Sequence, residues 1–380
     1  MQNDQSSSPG LWALAWRRLR RDKIAMLALA IVSAFLLMLV LSMSGLIVAD
    51  WEDEVGVSYA PPSFAAGPAA GAQAVPGAVA LEQAPATPVN LLDPLADDIR
   101  QLEAEMGRAS APGAVLDMAG VVDPLAQEMA ELRAELRAEL GIGSGGLQGK
   151  RPDKLATLPF GADKWGHDVL KKTIKGAETS IVVGLVAALL AVGLGTLFGA
   201  FSGYFGGRVD DFFNWFYSIF TSIPSILMIL TVAAVLQQKG VLTIVLILGL
   251  TGWTGPYRLI RAEYIKHKAR EYVMAADAIG ASHWRKMFSH IFPNVSHVAL
   301  VQLSILVVGF IKAEVILSFL GFGVPVGVVS WGSMLNEAQN ELILGKWWQL
   351  SAAAIAMAVL VTAFSLFTDA LRDALDPKVK

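Results

Sequence analysis

The sequence predicts an all-α integral membrane protein, and three observations carry that expectation. Of its 380 residues, 54% are hydrophobic and only 17% charged, where a soluble domain usually carries about 25% charged residues. The apolar residues are concentrated in runs long enough to cross lipid. Most of the basic residues lie at the ends of those runs. The chain has no cysteine, which excludes disulfides, thiolate metal sites and a cysteine nucleophile. The net charge of −3 gives no reason to expect nucleic acid as a partner.

A helix needs roughly 20 apolar residues to cross a hydrocarbon core about 30 Å thick. Six segments meet that requirement, near 24–48, 180–205, 217–236, 240–260, 298–320 and 348–369. The first follows the basic cluster Arg17, Arg18, Arg20, Arg21 and Lys23. Its apolar stretch is longer than the 7–15 residues of a signal-peptide core, and no clear cleavage site follows, so it reads as an uncleaved anchor. Residues 1–23, with Trp12 and Trp16, read as an amphipathic lead-in at the interface.

Orientation follows from the basic residues of short loops. With the N-terminus inside, the inner segments hold the N-terminal cluster and Arg208. They also hold Arg258, Arg261, Lys266, Lys268, Arg270, Arg285 and Lys286, and then Arg372, Lys378 and Lys380 in the tail 370–380. The short outer loops hold Lys239 and Lys346. Both termini are therefore expected in the cytoplasm.

The long outer segment 49–179 is a different kind of polymer. Residues 56–90 are rich in Ala, Pro, Gly and Val, and 141–154 in Gly; both read as linkers. Between them Asp93-Pro94-Leu95-Ala96 recurs as Asp123-Pro124-Leu125-Ala126, each copy followed by a charged, helix-favouring run. Asp followed by Pro is a sound helix start. Leu95, Ile99, Leu102 and Met106 share one face, as do Leu125, Met129, Leu132, Leu136 and Leu140. Two amphipathic helices are expected, either a tethered hairpin or a docking surface for a partner.

Several motifs fail on inspection. Gly141-Ile142-Gly143-Ser144-Gly145-Gly146 fits a dinucleotide fingerprint, but no strand precedes it. Gly149-Lys150 resembles the end of a phosphate-binding loop, yet Ser144 stands where the first glycine belongs and Arg151 where a magnesium-ligating hydroxyl belongs. His283, His290 and His297 are evenly spaced, but Pro293 is expected to interrupt the helix between them, and they read as polar loop residues rather than metal ligands. No catalytic constellation, metal site or cofactor is expected.

The informative stretch lies in the cytoplasmic loop 262–297: Glu271-Tyr272-Val273-Met274-Ala275-Ala276-Asp277-Ala278-Ile279-Gly280, ending in His290-Ile291-Phe292-Pro293-Asn294. Ala275 and Ala276 let a helix approach another surface closely, Gly280 permits a sharp turn, and Pro293 resets the chain. The stretch resembles the E-A-A loop of ABC importer permeases, in the form typical of the dipeptide/oligopeptide (peptide/nickel) family. Other features of that family recur in order. They include Leu158-Pro159-Phe160-Gly161-Ala162-Asp163, then Gly166-His167-Asp168-Val169-Leu170, and Gly203-Tyr204-Phe205-Gly206-Gly207 with Asp210. Further on come Pro224, Leu317–Gly323, Ser330–Leu335, Trp347-Trp348 and Asp369–Pro377. The lead-in resembles the second permease type.

The resemblance implies the six-helix fold of type I importer permeases, with 180–369 as the permease core and 49–179 as a periplasmic insertion. It implies half of an inner-membrane translocation pore, paired with a second homologous permease. Two ATPase subunits would drive it, a periplasmic binding protein would deliver peptide, and the chain itself would have no nucleotide site. Glu271, Tyr272, Ala275, Ala276, Gly280 and Pro293 would couple to an ATPase subunit. The cargo stays open among dipeptides, longer peptides, glutathione-like peptides, opines and nickel complexes. A secondary transporter would need paired broken helices and a coupling-ion site within one chain; a membrane enzyme or a scaffold would not need the docking loop.

The chain departs from the family in the length of 49–157, and in Lys312, two residues before Glu314 in span five. Intramembrane charges are costly and mark function, so Lys312 and Glu314 are candidates for the substrate path, with pairing to the partner permease as the alternative. Gly195, Gly199 and Gly203, four apart in span two, suit close helix packing.

Overall fold

The computed structural model describes residues 16–65, 154–238, 240–325 and 327–375. The amphipathic helices expected at 93–140, most of the linkers expected at 56–90 and 141–154, Trp12 and the end of the tail lie outside the described residues. The described part is helical, and among its residues there is no strand, only isolated bridges. We number the helices α1 (Lys23–Met43), α2 (Val169–Phe205), α3 (Gly207–Thr221), α4 (Ser225–Leu236), α5 (Val241–Thr251) and α6 (Thr254–Lys268). They continue with α7 (Glu271–Ala278), α8 (Phe292–Phe319), α9 (Trp331–Ile343) and α10 (Trp348–Leu375). A π-helix, Arg285–Ile291, runs directly into α8.

Four helical stretches are long and apolar enough to span a membrane: α1, α2, the π-helix with α8, and α10. The pair α3 and α4 makes a fifth if taken as one span, and it is bent by 82°. The expected spans at 217–236 and 240–260 are thus not single straight helices. The first is broken at Pro224, which stands at the N-cap of α4 and cannot donate to a preceding turn. The second is divided at Gly252-Trp253, and α6 continues from it as a polar helix ending in Lys266, His267 and Lys268. Span two starts at Val169 rather than 180, because Asp168 caps it by accepting from the Leu170 N–H at 2.8 Å.

Local chemistry explains the elements. In α1, Asp22 accepts from the Ile24 and Ala25 N–H groups, and Ala25, Ala28, Val32 and Leu39 form one buried stripe, while Leu27, Leu36, Leu37 and Val40 stay exposed. Such a helix is apolar all round, as a lipid-facing span must be. The central helix is α2, whose 37 residues reach roughly 55 Å, well beyond the hydrocarbon core. Around it, Ala187, Ala188, Ala191, Ile244, Leu248, Val307 and Ile311 form the main buried cluster.

Glycines set how close the helices come. Gly195, Gly199 and Gly203 all face α6 and are buried. A Cβ at Gly195 would lie 2.6 Å from the Trp253 carbonyl oxygen, one at Gly199 2.8 Å from that of Tyr257, and one at Gly203 2.6 Å from that of Arg261. Those neighbours are backbone and cannot move aside. On another face of α2, a Cβ at Gly184 would meet Ile311 of α8.

At the N-terminal end of α2, residues 154–168 pair loosely with 54–62 through the bridges Glu54–His167, Gly56–Leu155 and Pro62–Leu158. Trp348 seats this platform, its indole N–H donating to the Ala162 carbonyl at 2.7 Å, while Gly161, with φ +84°, passes so close that a Cβ would strike the indole. A Gly199→Ala substitution is expected to destabilise the chain by about 1–3 kcal/mol through overpacking. Gly193→Ala, whose Cβ would meet nothing within 4 Å, is expected to be neutral or slightly stabilising. Thermal unfolding of both variants in detergent separates the two outcomes.

Candidate coupling loop and intramembrane charges

The loop helix α7 forms because Glu271 sits in its first turn, where an acid complements the helix dipole. Its end is a Schellman motif: the Gly280 N–H donates to the Asp277 carbonyl at 2.9 Å and the Ala281 N–H to the Ala276 carbonyl at 3.0 Å. This turn requires the positive φ of Gly280, +79°. A Cβ there would meet nothing within 4 Å, so the requirement is conformational and not one of space.

One side of α7 is anchored and the other is free. Val273 and Ala276 are buried, while Glu271, Tyr272, Met274, Ala275, Asp277 and Gly280 are exposed. Val273 joins Tyr264, Ile260, Tyr204, Ala200, Met287, Ile291 and Val295 in a small core under the loop. Four polar links hold the same region. The Tyr204 hydroxyl pairs with His283 Nδ1 at 2.9 Å, and the Tyr264 hydroxyl donates to the Met287 carbonyl at 3.2 Å. The Tyr272 hydroxyl pairs with His267 Nδ1 at 2.9 Å, and Lys286 pairs with Asp277. The Lys286 ammonium holds the Asp277 carboxyl below the usual carboxylate range. Around the free side, Ile279 is 83% and Trp284 62% exposed.

Pro293 does not interrupt the helix as expected. It occupies the first turn of α8, where its missing N–H is one of the groups a helix leaves unpaired anyway. The preceding turn is a wide π-turn in which the Phe292 N–H reaches back to the Met287 carbonyl. Loop and span are therefore one continuous helix across Ile291-Phe292.

Where the loop meets the bundle, Arg261 of α6 grips Asp210 of α3 through two hydrogen bonds of 2.6 Å. Ser202 of α2 donates to the same carboxylate. The Tyr257 hydroxyl joins Ser202 at 3.0 Å and donates to Asn214 at 3.2 Å. Three helices thus share one polar knot; in the sequence Asp210 stood only within a motif and Arg261 only among the inner basic residues, with nothing to link them.

The structure separates Lys312 from Glu314. Glu314 is fully buried and accepts from Ser180 Oγ at 2.6 Å and Ser318 Oγ at 2.7 Å. Ser180 in turn accepts from the Trp331 N–H at 3.3 Å, so the carboxylate ties α2, α8 and α9 together. Lys312 lies on the exposed side of α8, along with Ile305 and Ile316.

A second buried charge cluster lies at the far end of α2. Asp163 is buried and accepts from the Trp165 and His167 N–H groups at 2.8 and 3.0 Å. The Lys172 ammonium donates to it at 2.8 Å and to Glu337 of α9 at 2.7 Å. Burial raises the Asp163 carboxyl, but Lys172 outweighs it and leaves the net position below the usual range. Sequence spacing offered no signal for Lys172 and Glu337, which are 165 residues apart.

Residues 195–380 match the family described as the binding-protein-dependent transport system inner membrane component. Residues 10–62 match the N-terminal TM domain of oligopeptide transport permease C. The chain is 36% identical to the dipeptide transport system permease protein DppC of Bacillus subtilis over 221 residues, 58% of this chain and 69% of that one. It is 37% identical to the oligopeptide transport system permease protein OppC of the same organism, covering 58% and 72%. Against OppC of Salmonella typhimurium it is 36% identical over 233 residues, covering 61% and 76%. On these matches, the chain belongs to the family of ABC-transporter inner-membrane permeases, in the dipeptide and oligopeptide group.

Proposed function

We propose that this chain forms half of a translocation pore for peptides delivered by a periplasmic binding protein, and that the 271–294 loop couples it to an ATPase subunit. As a family member it is a multi-pass inner-membrane permease subunit of an ABC importer, with ATP hydrolysis on a separate subunit. The second homologous permease, the two ATPase subunits and the binding protein are part of the proposal. So are the cytoplasmic termini and the partition into lead-in 1–23, span 24–48, insertion 49–179, core 180–369 and tail 370–380.

The observation that carries the coupling is the two-sidedness of α7. Its back is fixed to α2, α6 and the π-helix by Tyr204, Tyr264 and Met287. Its front exposes Glu271, Tyr272, Met274 and Ala275, continued by Ile279 and Trp284. A partner pressing on that front moves α8 directly, since no flexible break separates the π-helix from the span. ATP-driven closure of the ATPase subunits would thereby reach the pore. Ala275 allows close docking, while Ala276 keeps the back tight and Gly280 holds the turn.

Lys312 is the residue we assign to the substrate path. A lone ammonium facing lipid in the middle of a span costs about 2.5–3.5 kcal/mol, so its exposed side of α8 belongs toward water, cargo or the second permease. Glu314 fixes the rotation of α8 that points Lys312 outward. The glycines 195, 199 and 203 are assigned to packing.

Gly280→Asp is expected to insert and fold, because Asp tolerates the left-handed conformation at a cost of roughly 1 kcal/mol, yet to lose most ATPase co-purification and peptide uptake. Retained ATPase subunits with normal uptake would refute the coupling role. Lys312→Met is expected to preserve assembly and basal ATPase activity while lowering peptide uptake about tenfold, a change of roughly 1.4 kcal/mol. Disassembly of the complex instead would place Lys312 at the permease–permease interface.

A further inference from the structure

Glu341 lies near the C-terminal end of α9 and is only 2% exposed. Neither of its carboxylate oxygens has a hydrogen-bond partner among the described residues. Such a group is unusual, since buried polar atoms are nearly always paired and an unpaired buried charge is costly.

The charged groups around it are all accounted for. From α2 comes Lys172, whose ammonium already serves Asp163, Glu337 and, at 3.5 Å, Gln349 of α10. From the platform come Asp163, itself bonded to His167, and Lys164, whose ammonium lies 5.5 Å over the Trp165 ring. From α9 comes Glu337, which also accepts from Gln349 at 3.3 Å. Lys346, just before α10, gives its backbone N–H to the Glu341 carbonyl, but its ammonium rests 5.5 Å above the Trp348 ring. An ionised Glu341 would therefore add a third carboxylate to a site whose nearest cation has its donors engaged, and it would do so with no hydrogen bond of its own.

We propose that Glu341 is a proton-binding site, and that its protonation keeps the α9–α10 cap packed against the platform and the N-terminal end of α2. Burial is the main reason its carboxyl is pushed up to about 7; Lys172 and Lys164 pull it down, while Asp163 and Glu337 push it up further. The sign of the resulting pH dependence is fixed. The folded chain holds a proton that the unfolded chain, with its carboxyl near 4.5, gives up. The penalty is absent below pH 4.5, grows as pH rises, and is complete above about 7. The cap is thus strongest in mild acid and loosens near neutrality. With the termini inside, as proposed above, it responds to the outside medium.

The test is the melting temperature of the full chain in detergent from about pH 5 to about pH 8.5 at fixed ionic strength, for wild type, Glu341→Gln and Glu341→Leu. Wild type is expected to lose melting temperature across this range. Both variants are expected to lose that part of the slope and to equal or exceed wild type at the alkaline end. Slopes in the variants parallel to wild type, or a flat wild-type profile, would overturn the proposal. Should neither variant fold, infrared spectroscopy of wild type decides. A protonated-carboxyl band that disappears with a midpoint near 7 upholds the site, and its absence rejects it.

Discussion

The contact on which the rest depends is the seam between α2 and α6, where two backbones meet across three glycines. At each of these positions a single added carbon would collide with main chain, so the spacing admits no compromise by rotamer change. The seam brings Tyr204 and Tyr264 side by side over the loop helix, and it allows Arg261 to reach Asp210. If the two helices separated, the loop helix α7 would lose its floor and the three-helix polar knot would open. In lipid, where burying apolar surface gives helices little reason to associate, such close packing and interhelical hydrogen bonds are the available adhesives.

The polar ties follow a consistent logic. Glu314 is satisfied by two hydroxyls on its own helix and on α2, Asp163 by two backbone N–H groups and a lysine. Asp210 is satisfied by a two-pronged arginine and a serine. Each joins segments that the chain order keeps far apart, and each would be expensive to leave half-made. Glu341, with no such partners, stands out against this background.

Much of the architecture was legible because lipid imposes simple rules. Run length marked the spans, Gly280 announced a turn, and a four-residue glycine spacing pointed to a close face, while the cap at Asp168 that starts α2 eleven residues before the expected position went unread. What the sequence hid were events that depend on geometry. Pro224 bends its span by 82°, while Pro293 leaves its helix intact, because one proline sits at an N-cap after a broken turn and the other follows a π-turn. Residue type alone does not distinguish the two. The partners of Glu314 and Asp163 were likewise unreadable. Ser180, Lys172 and Glu337 have no distinctive local pattern, and only the assembled bundle brings them within reach.

The length of α2 has a mechanical consequence. Its glycine seam lies near one end, at 195–203, and Lys172 near the other. The 27 positions from Gly199 back to Lys172 correspond to roughly 40 Å of helix. Were α2 to pivot on this seam, the arm ending at Tyr204 would be short and the arm ending at the platform long. A tilt of about 5° shifts Tyr204 by less than about 1 Å but carries Lys172 through about 3–4 Å. A small displacement under the loop would thereby be geared up at the far end of α2, in the opposite direction.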